Sequence, residues 1–396
     1  MTVTDRRPLL IIALVLALFA AACGGGDDDS GDDAGSASES ASASASESES
    51  ASASASEAAD EEPADPASVD DTASSDHDTD DADEAEAPAG PIVVTHKFGE
   101  TEVPRDPQRV LSLGFSDQDD LLALGVVPVG ILDWFGDQPN AVWPWAQPLL
   151  GDAEPTVIPA VVEPNVELIA SVDPDLIVAV SQGLTREQYD LLSELAPTVA
   201  QHADYADYRA PWQERTRLIG SIFDKADEAE ALIRGVEDRF AEVRAAHPEF
   251  EGLSAAVAFA FNGQPGVYAS SDVRAQILES IGFQTPAEYD ELAGEAFFVN
   301  VSEERVDLLD TDVVVWIATD EVVMQDVLQS PIRDVMRAPG EGREIFTPTL
   351  VSGAFSFGSP LSIGYLLDEL VPELALAVDG DPATAVPSAV AIGAVG

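Results

Sequence analysis

Residues 24–90 place the strongest limit on what this chain can fold into. This segment of 67 residues contains no Lys, Arg, Phe, Tyr or Trp, and from Ser36 to Glu57 it repeats Ala-Ser and Ser-Glu before an acidic stretch. Burial of such side chains cannot repay the entropy lost on folding. We therefore predict a disordered acidic tether over residues 23–90, which leaves residues 91–396 to form the folded part.

The N-terminus has the pattern of an export signal. Two arginines precede an apolar run from Leu9 to Ala22, which is too short to span a bilayer comfortably but has the length of a signal-peptide core. Cys23, the only cysteine of the chain, follows three alanines and resembles the lipobox of bacterial lipoproteins. The resemblance implies that residues 1–22 are removed and that Cys23 carries a lipid anchor at the outer face of the cell membrane. The alternative is a cleaved signal with an incidental cysteine.

Acidic residues dominate the folded part. From residue 91 on, 51 Asp and Glu residues outnumber 16 Lys and Arg residues. Nucleic-acid binding requires clustered Lys and Arg, so this composition argues against it.

From Ile92 on, short apolar runs alternate with helical periods, which is typical of βα units around mostly parallel sheets. Thr185 and Gln188 are spaced as a helix capping box. The predicted strands cover residues 109–114, 127–131, 175–180, 255–261, 313–317 and 350–352, and the predicted helices cover residues 117–124, 165–171, 185–195, 272–281, 303–309 and 361–370.

One long amphipathic helix is predicted over residues 226–247. At 1.5 Å per residue it is about 33 Å long, which is the length of a whole lobe. Its apolar positions fall at helical spacing: Ala229, Leu232, Ile233, Val236, Phe240 and Val243. We predict an α/β fold with two Rossmann-like lobes, residues 91–225 and 248–385, joined by this single helix and followed by a short tail over residues 386–396.

Two segments carry a family resemblance. EPNVELIASVDPDLIVAV resembles the first-lobe signature of the binding proteins that serve bacterial iron-siderophore and cobalamin ABC importers, and FFVNVSEERVDLLDTDVVVWIA resembles its second-lobe counterpart. The similarity covers about residues 92–372. It implies a monomeric, non-enzymatic receptor without a cofactor of its own, which captures a ferric siderophore between its lobes and delivers it to the importer's permease and ATPase. It also implies that Glu167 and Glu304 dock on the permease. The alternative is that these acids only belong to solvated helix faces, and Glu303 is the nearest rival for the docking role.

Candidate ligand-binding side chains are concentrated in loops after the predicted strands, where open α/β sheets bind ligands. Rigid aromatic side chains suit a large, partly apolar ligand, and arginines can bond its oxygens. The candidates are Trp134, Trp143, Trp145, Tyr208, Arg209, Trp212, Tyr268, Arg274, Phe355 and Phe357. The alternative for each aromatic residue is ordinary packing, whereas Arg209 can be solvated and Arg274 can pair with Glu279 or its neighbours.

Other functions remain open at this point. Cobalamin or haem is the main alternative ligand, and the small number of arginines leaves room for a neutral or cationic iron complex. Direct binding of Zn²⁺ or Mn²⁺ is disfavoured, because the four histidines show no paired ligand spacing: His77, His96, His202 and His247. An enzyme is disfavoured because the chain contains neither a Gly-x-Ser-x-Gly elbow nor a phosphate-binding Gly-x-x-x-x-Gly-Lys loop.

Overall fold

Two five-stranded sheets form the centres of two lobes in the computed structural model, which describes residues 90–161, 163–261 and 263–394. The predicted signal peptide, Cys23 and residues 23–89 of the predicted tether lie outside the described residues. Among the helices of the described part, none is both long and apolar enough to cross a bilayer.

The first lobe is built on a parallel sheet of strand order β5-β4-β3-β6-β7, beside a hairpin of β1 and β2. Its strands are β1 Ile92–His96, β2 Gly99–Val103, β3 Val110–Ser112, β4 Gly130–Asp133, β5 Thr156–Pro159, β6 Leu176–Val178 and β7 Thr198–Val199. Its helices are α1 Asp117–Ala123, α2 Gln147–Leu150, α3 Val166–Val172, α4 Arg186–Ser193 and α5 Trp212–Ile222, with a 3₁₀ turn at Pro139–Ala141. Strand β6 is apolar and buried at every position, as expected for a parallel strand covered on both faces.

The second lobe has the strand order β10-β9-β8-β11-β12. Strands β8, β11 and β12 pair in parallel, and β9 pairs antiparallel with both β8 and β10. Its strands are β8 Ala255–Phe261, β9 Gln264–Tyr268, β10 Phe298–Asn300, β11 Val313–Ile317 and β12 Glu344–Thr347. After the connecting helix α6, Ala226–Ala246, the helices are α7 Val273–Ser280, α8 Ala287–Ala293, α9 Glu321–Leu328, α10 Thr349–Phe357, α11 Pro360–Ala377 and α12 Pro387–Ala391. 3₁₀ turns cover Pro248–Phe250, Glu303–Leu309, Arg333–Val335 and Ala338–Glu341.

The long connecting helix and the two-lobe α/β fold are confirmed. Helix α6 ends one residue before the predicted limit, and its apolar stripe is divided between the two lobes. Ala229 packs in the core of the first lobe, whereas Ile233 and Phe240 pack in that of the second. The capping box of Thr185 and Gln188 is also present, with both reciprocal hydrogen bonds.

Two expectations about the second lobe need correction. The predicted strand over residues 350–352 is wrong, since these residues belong to helix α10. A short apolar run fits a buried strand and a buried helix equally, and every residue from Val351 to Phe357 is buried here. The predicted tail is part of the lobe, because Val386 and Ala389 are buried in its core and the Ser388 Oγ accepts a hydrogen bond from the Phe346 amide.

Candidate ligand-binding cleft

A cleft opens between the carboxyl ends of the two sheets. It holds about 1270 Å³ of space free of atoms, including its open mouth. In the first lobe, Phe115 and Ser181 follow β3 and β6, the neighbouring strands at which the strand order reverses. In the second lobe, Ile317 and Thr319 mark the end of β11 at the corresponding reversal beside β8. Open α/β sheets bind their ligands at such switch points.

Stacked aromatic rings line the first-lobe side of the cleft. Phe115 lies between two other rings, with ring centroids 4.9 Å from Trp134 and 5.9 Å from Tyr208 and interplanar angles of 23° and 17°. Phe297 of the second lobe meets Tyr208 edge-on at 6.2 Å. The cleft therefore presents rigid apolar faces that can bury a large ligand at little entropic cost.

Tyr208 is held in an uncommon backbone conformation. Its φ of 66° lies in the left-handed region, which costs a non-glycine residue free energy and is often found at functional sites. The ring packs so closely on Gly183 that a Cβ added there would lie 2.6 Å from the Tyr208 hydroxyl oxygen. Burial raises the pKa of the Tyr208 phenol, so the hydroxyl stays neutral.

An arginine that is already paired lies on the second-lobe side. The Arg274 guanidinium sits 3.9 Å from the centroid of the Tyr268 ring. Its Nε and Nη2 donate to the two oxygens of the Asp272 carboxylate, both at 2.8 Å, and its Nη1 donates to the Ser356 Oγ at 3.3 Å. Because Asp272 also caps helix α7, this carboxylate is fixed from two directions.

Three aspartates of the short helix α1 are completely buried below the cleft. Asp117 accepts hydrogen bonds from the Val180 and Ser181 amides at 2.7 and 3.0 Å and from the Ser181 Oγ at 2.6 Å. These bonds join the ends of β3 and β6 at the switch point. Burial outweighs them and raises the pKa of Asp117 to about 6.

Asp120 and Arg215 form a buried ion pair that connects the two lobes. The Arg215 Nε donates to the Asp120 carboxylate at 2.9 Å, and the Thr216 Oγ1 donates to its other oxygen at 2.6 Å. The remaining Arg215 nitrogens donate to the Ser116 Oγ and, across the cleft, to the carbonyl oxygens of Phe357 and Gly358 at 3.2 and 2.9 Å. The Arg215 side chain thus donates hydrogen bonds to acceptors in both lobes.

Asp119 makes a second connection between the lobes. Its Oδ2 accepts from the Trp145 Nε1 at 2.7 Å and from the Ser359 Oγ of the second lobe at 2.6 Å. Its Oδ1 is buried without a hydrogen-bond partner. Burial is the main cause that raises the pKa of Asp119 to about 7.

The sequence also matches the model of a known protein family. Residues 111–348 match the family model described as periplasmic binding protein. The chain belongs to that family.

Individual proteins are also similar to this chain in sequence or in structure. A solved periplasmic solute-binding protein from Mycobacterium smegmatis is 37% identical, with a TM-score of 0.65 over 73% of this chain and 99% of that chain. A solved iron-uptake ABC transporter substrate-binding protein of Streptococcus pneumoniae, in complex with ferrichrome, is 26% identical with a TM-score of 0.62 over 73% of this chain and 99% of that chain. A probable siderophore-binding lipoprotein of Bacillus subtilis is 28% identical over 56% of this chain and 67% of its own length. The matches to two further Bacillus subtilis relatives span 46% and 47% of their length.

The structure brings four of the ten predicted ligand-binding residues to the cleft: Trp134, Tyr208, Tyr268 and Arg274. Arg209 lies beside the cleft and donates to the Glu295 carbonyl of the other lobe at 3.2 Å. Trp145 is half-buried and bonded to Asp119.

The other four are buried and pack rather than line the cleft. Trp212 and Phe355 are in the core of the second lobe, with 2% and 0% of their surface exposed. Trp143 and Phe357 form an aromatic cluster with Phe135, with only 1% exposure for each of the two. Arg274 pairs with Asp272, two residues away in sequence, and not with Glu279.

Several cleft residues were not among the predicted ones. Phe115 is an isolated aromatic after β3, and Phe297 directly precedes Phe298 at the start of β10, so each resembled an ordinary core residue. Arg215 looked like an ordinary helix arginine, because its partner Asp120 is distant in sequence. The acidic run in Asp117-Gln-Asp-Asp, directly before two leucines, was the available signal for buried carboxylates.

The histidines have separate environments. His96 is buried and hydrogen-bonded to the Thr101 hydroxyl at 2.8 Å, and desolvation lowers its pKa to about 4. His202 lies at the cleft, where its Nδ1 accepts from the Asp204 amide, and His247 bonds to Glu249 at the end of α6. Within the described ranges, no three His, Cys, Asp or Glu side chains are grouped to hold a metal ion.

Proposed function

We propose that this protein captures a ferric siderophore in the cleft and presents it to an ABC importer. The observation that carries the proposal is the aromatic stack of Trp134, Phe115 and Tyr208 at the switch point of the first sheet, opposite Tyr268 of the second lobe. A chelated iron complex is large and partly apolar, and it fits a roomy cleft with aromatic sides and few polar anchors. Relatives of this chain that bear the names of siderophore and ferric-complex binding proteins support the same ligand class.

Titration tests this function directly. Ferric siderophores are expected to bind and to quench the fluorescence of Trp134, whereas cobalamin and haem are expected not to bind. Trp134→Ala should weaken siderophore binding by about 1–3 kcal/mol, measured by calorimetry, because a rigid contact face is lost. Phe98→Ala is the control, since Phe98 stacks on Tyr189 instead of lining the cleft. Binding of cobalamin or haem alone, or normal siderophore affinity of Trp134→Ala, would contradict the proposal.

The protein would work as a monomer anchored through Cys23 to the outer face of the cell membrane. The names of two relatives as lipoproteins support the anchor. The mass of the mature protein tests it, because a lipidated N-terminal cysteine adds acyl chains, whereas a simple signal cleavage leaves an unmodified one.

Glu167 and Glu304 are proposed to dock on the importer's permease. Both side chains are exposed, Glu167 in the first turn of α3 and Glu304 in the 3₁₀ turn Glu303–Leu309. The Asn165 side chain fixes the start of α3 by accepting from the Leu168 amide, so Glu167 is presented on an ordered turn. Exposed acids at an interface set orientation and encounter rate, which suits a receptor that binds and leaves repeatedly.

Replacing both glutamates by alanine is expected to reduce iron uptake by cells while leaving siderophore affinity in solution unchanged. The matched control is Glu228→Ala with Glu242→Ala, two exposed glutamates on the connecting helix. Uptake at the wild-type rate by the Glu167/Glu304 variant would refute this role, and so would an equal loss in the control.

A further inference from the structure

Each cation that lines the cleft in the described part of the chain is paired with a carboxylate, Arg274 with Asp272 of the lining and Arg215 with Asp120 buried beneath it. The charged residues of the lining are Arg215, Asp272 and Arg274, and the Nδ1 of His202 there accepts a main-chain hydrogen bond from Asp204. Each arginine has its own carboxylate within 2.9 Å. Neither guanidinium brings an uncompensated positive charge to the cleft.

The hydrogen-bonding capacity of these arginines is also largely used. A guanidinium has five N–H groups. Those of Arg215 bond Asp120, Ser116 and the carbonyl oxygens of Phe357 and Gly358. Four of the five N–H groups are thus occupied, so a ligand could bond at most one N–H of Arg215 without breaking an existing bond.

Arg274 is paired by its nearest neighbours in sequence. Asp272 holds both its Nε and its Nη2, and the Tyr268 ring covers one face of the guanidinium. The pair therefore persists whatever the separation of the two lobes, since all three residues belong to the second lobe.

The cations around the cleft lie outside its lining. Lys97 is paired with Asp207 at 2.6 Å, in the loop that carries Tyr208. Arg209 has no carboxylate within ion-pair distance among the described residues, but it lies outside the cleft lining and bonds a main-chain carbonyl. An anion entering the cleft would lose its hydration without gaining an unpaired cation, which is costly.

We infer that the cleft selects ferric complexes that carry no net negative charge, a neutral tris-hydroxamate in particular, and that the Asp272 carboxylate enforces this choice by neutralising Arg274. The inference rests on the proposed siderophore function and names the class of complex. Three singly charged hydroxamates balance Fe³⁺, so their complex can use the aromatic faces of the cleft without an electrostatic penalty. Three doubly charged catecholates give the Fe³⁺ complex a net charge of −3. The arginines that line the cleft are already paired with carboxylates and cannot balance that charge.

The test compares ferrichrome, a neutral tris-hydroxamate, with ferric enterobactin, a triply negative tris-catecholate, by calorimetric titration of the whole protein. Wild-type protein is expected to bind ferrichrome at least about tenfold more tightly. Asp272→Asn should strengthen binding of ferric enterobactin by about tenfold relative to ferrichrome, because it unmasks the charge of Arg274. Asparagine still caps a helix, so α7 keeps its N-cap.

Asp368→Asn is the matched control. It removes one negative charge and one partner of Arg239, on the exposed surface and away from the cleft, and it should change neither affinity. Wild-type protein that prefers ferric enterobactin would overturn the inference, as would unchanged enterobactin affinity relative to ferrichrome in Asp272→Asn. Binding of neither complex, or of cobalamin or haem instead, would refute the siderophore function itself, so the two failures are distinguishable.

Discussion

Arg215→Met is expected to lower the free energy of unfolding by about 3–5 kcal/mol, because it leaves Asp120 buried without its cation. Arg215 is 8% exposed and Asp120 is fully buried, so water cannot replace the lost partner. The substitution also leaves the carbonyl oxygens of Phe357 and Gly358 without their donor from the first lobe. Urea denaturation at constant pH and ionic strength measures the effect.

The same helix offers a matched control. Arg217 lies two residues further on and pairs at the surface with Glu214 and Glu230. Arg217→Met should cost no more than about 1 kcal/mol, since exposed ion pairs contribute little. Adding Asp120→Asn to Arg215→Met should recover part of the lost stability, because the uncompensated charge is gone. A loss as small as that of Arg217→Met would show that Arg215 does not hold the structure.

Trp143→Ala is expected to lower the free energy of unfolding by about 3–5 kcal/mol, which is the usual cost of truncating a buried tryptophan side chain to alanine. The Trp143 ring stacks on Trp145 at 5.1 Å and meets Phe357 edge-on at 5.6 Å. It also fills the space over Gly136 and Gly353, where an added Cβ would lie 2.6 and 2.5 Å from the ring. The void would therefore open where elements of both lobes meet.

Thermal and urea unfolding of Trp143→Ala should be compared with those of Tyr205→Ala, a partly exposed aromatic of the cleft loop. Tyr205→Ala should cost less than about 1 kcal/mol. Wild-type stability in Trp143→Ala, combined with a loss of ligand affinity, would favour the opposite role, that of a ligand contact.

The difference between Trp143 and Trp134 shows what sequence patterns can and cannot predict. Both residues lie in the aromatic loop after β4, and the pattern correctly indicated that this loop faces the other lobe. It did not indicate which ring faces the cleft. That choice depends on Gly353, which is remote in sequence and makes room for Trp143 from helix α10.

The fold is easier to predict from the sequence than the site is, because the patterns that indicate it are local and periodic. The stripe of helix α6, the capping box at Thr185 and the apolar runs of β6, β8 and β11 each follow from a few neighbouring residues. The apolar run at residues 350–352 predicts a strand although it belongs to helix α10, because burial on all sides removes the periodicity by which helices are identified. Arg215 and Asp120 were missed for the complementary reason, since pairing between distant residues leaves no local pattern.

The division of helix α6 between the two cores affects how the chain folds. Residues from Ile233 to Val243 complete the apolar core of the second lobe, and Trp212 extends into that core from helix α5 and meets Phe240 at 6.5 Å. Ala229, near the start of the same helix, belongs to the core of the first lobe. A cut on either side of α6 would leave one lobe with an open core, so neither lobe is a self-sufficient folding unit. The two halves of the receptor should consequently unfold together, in a single cooperative transition.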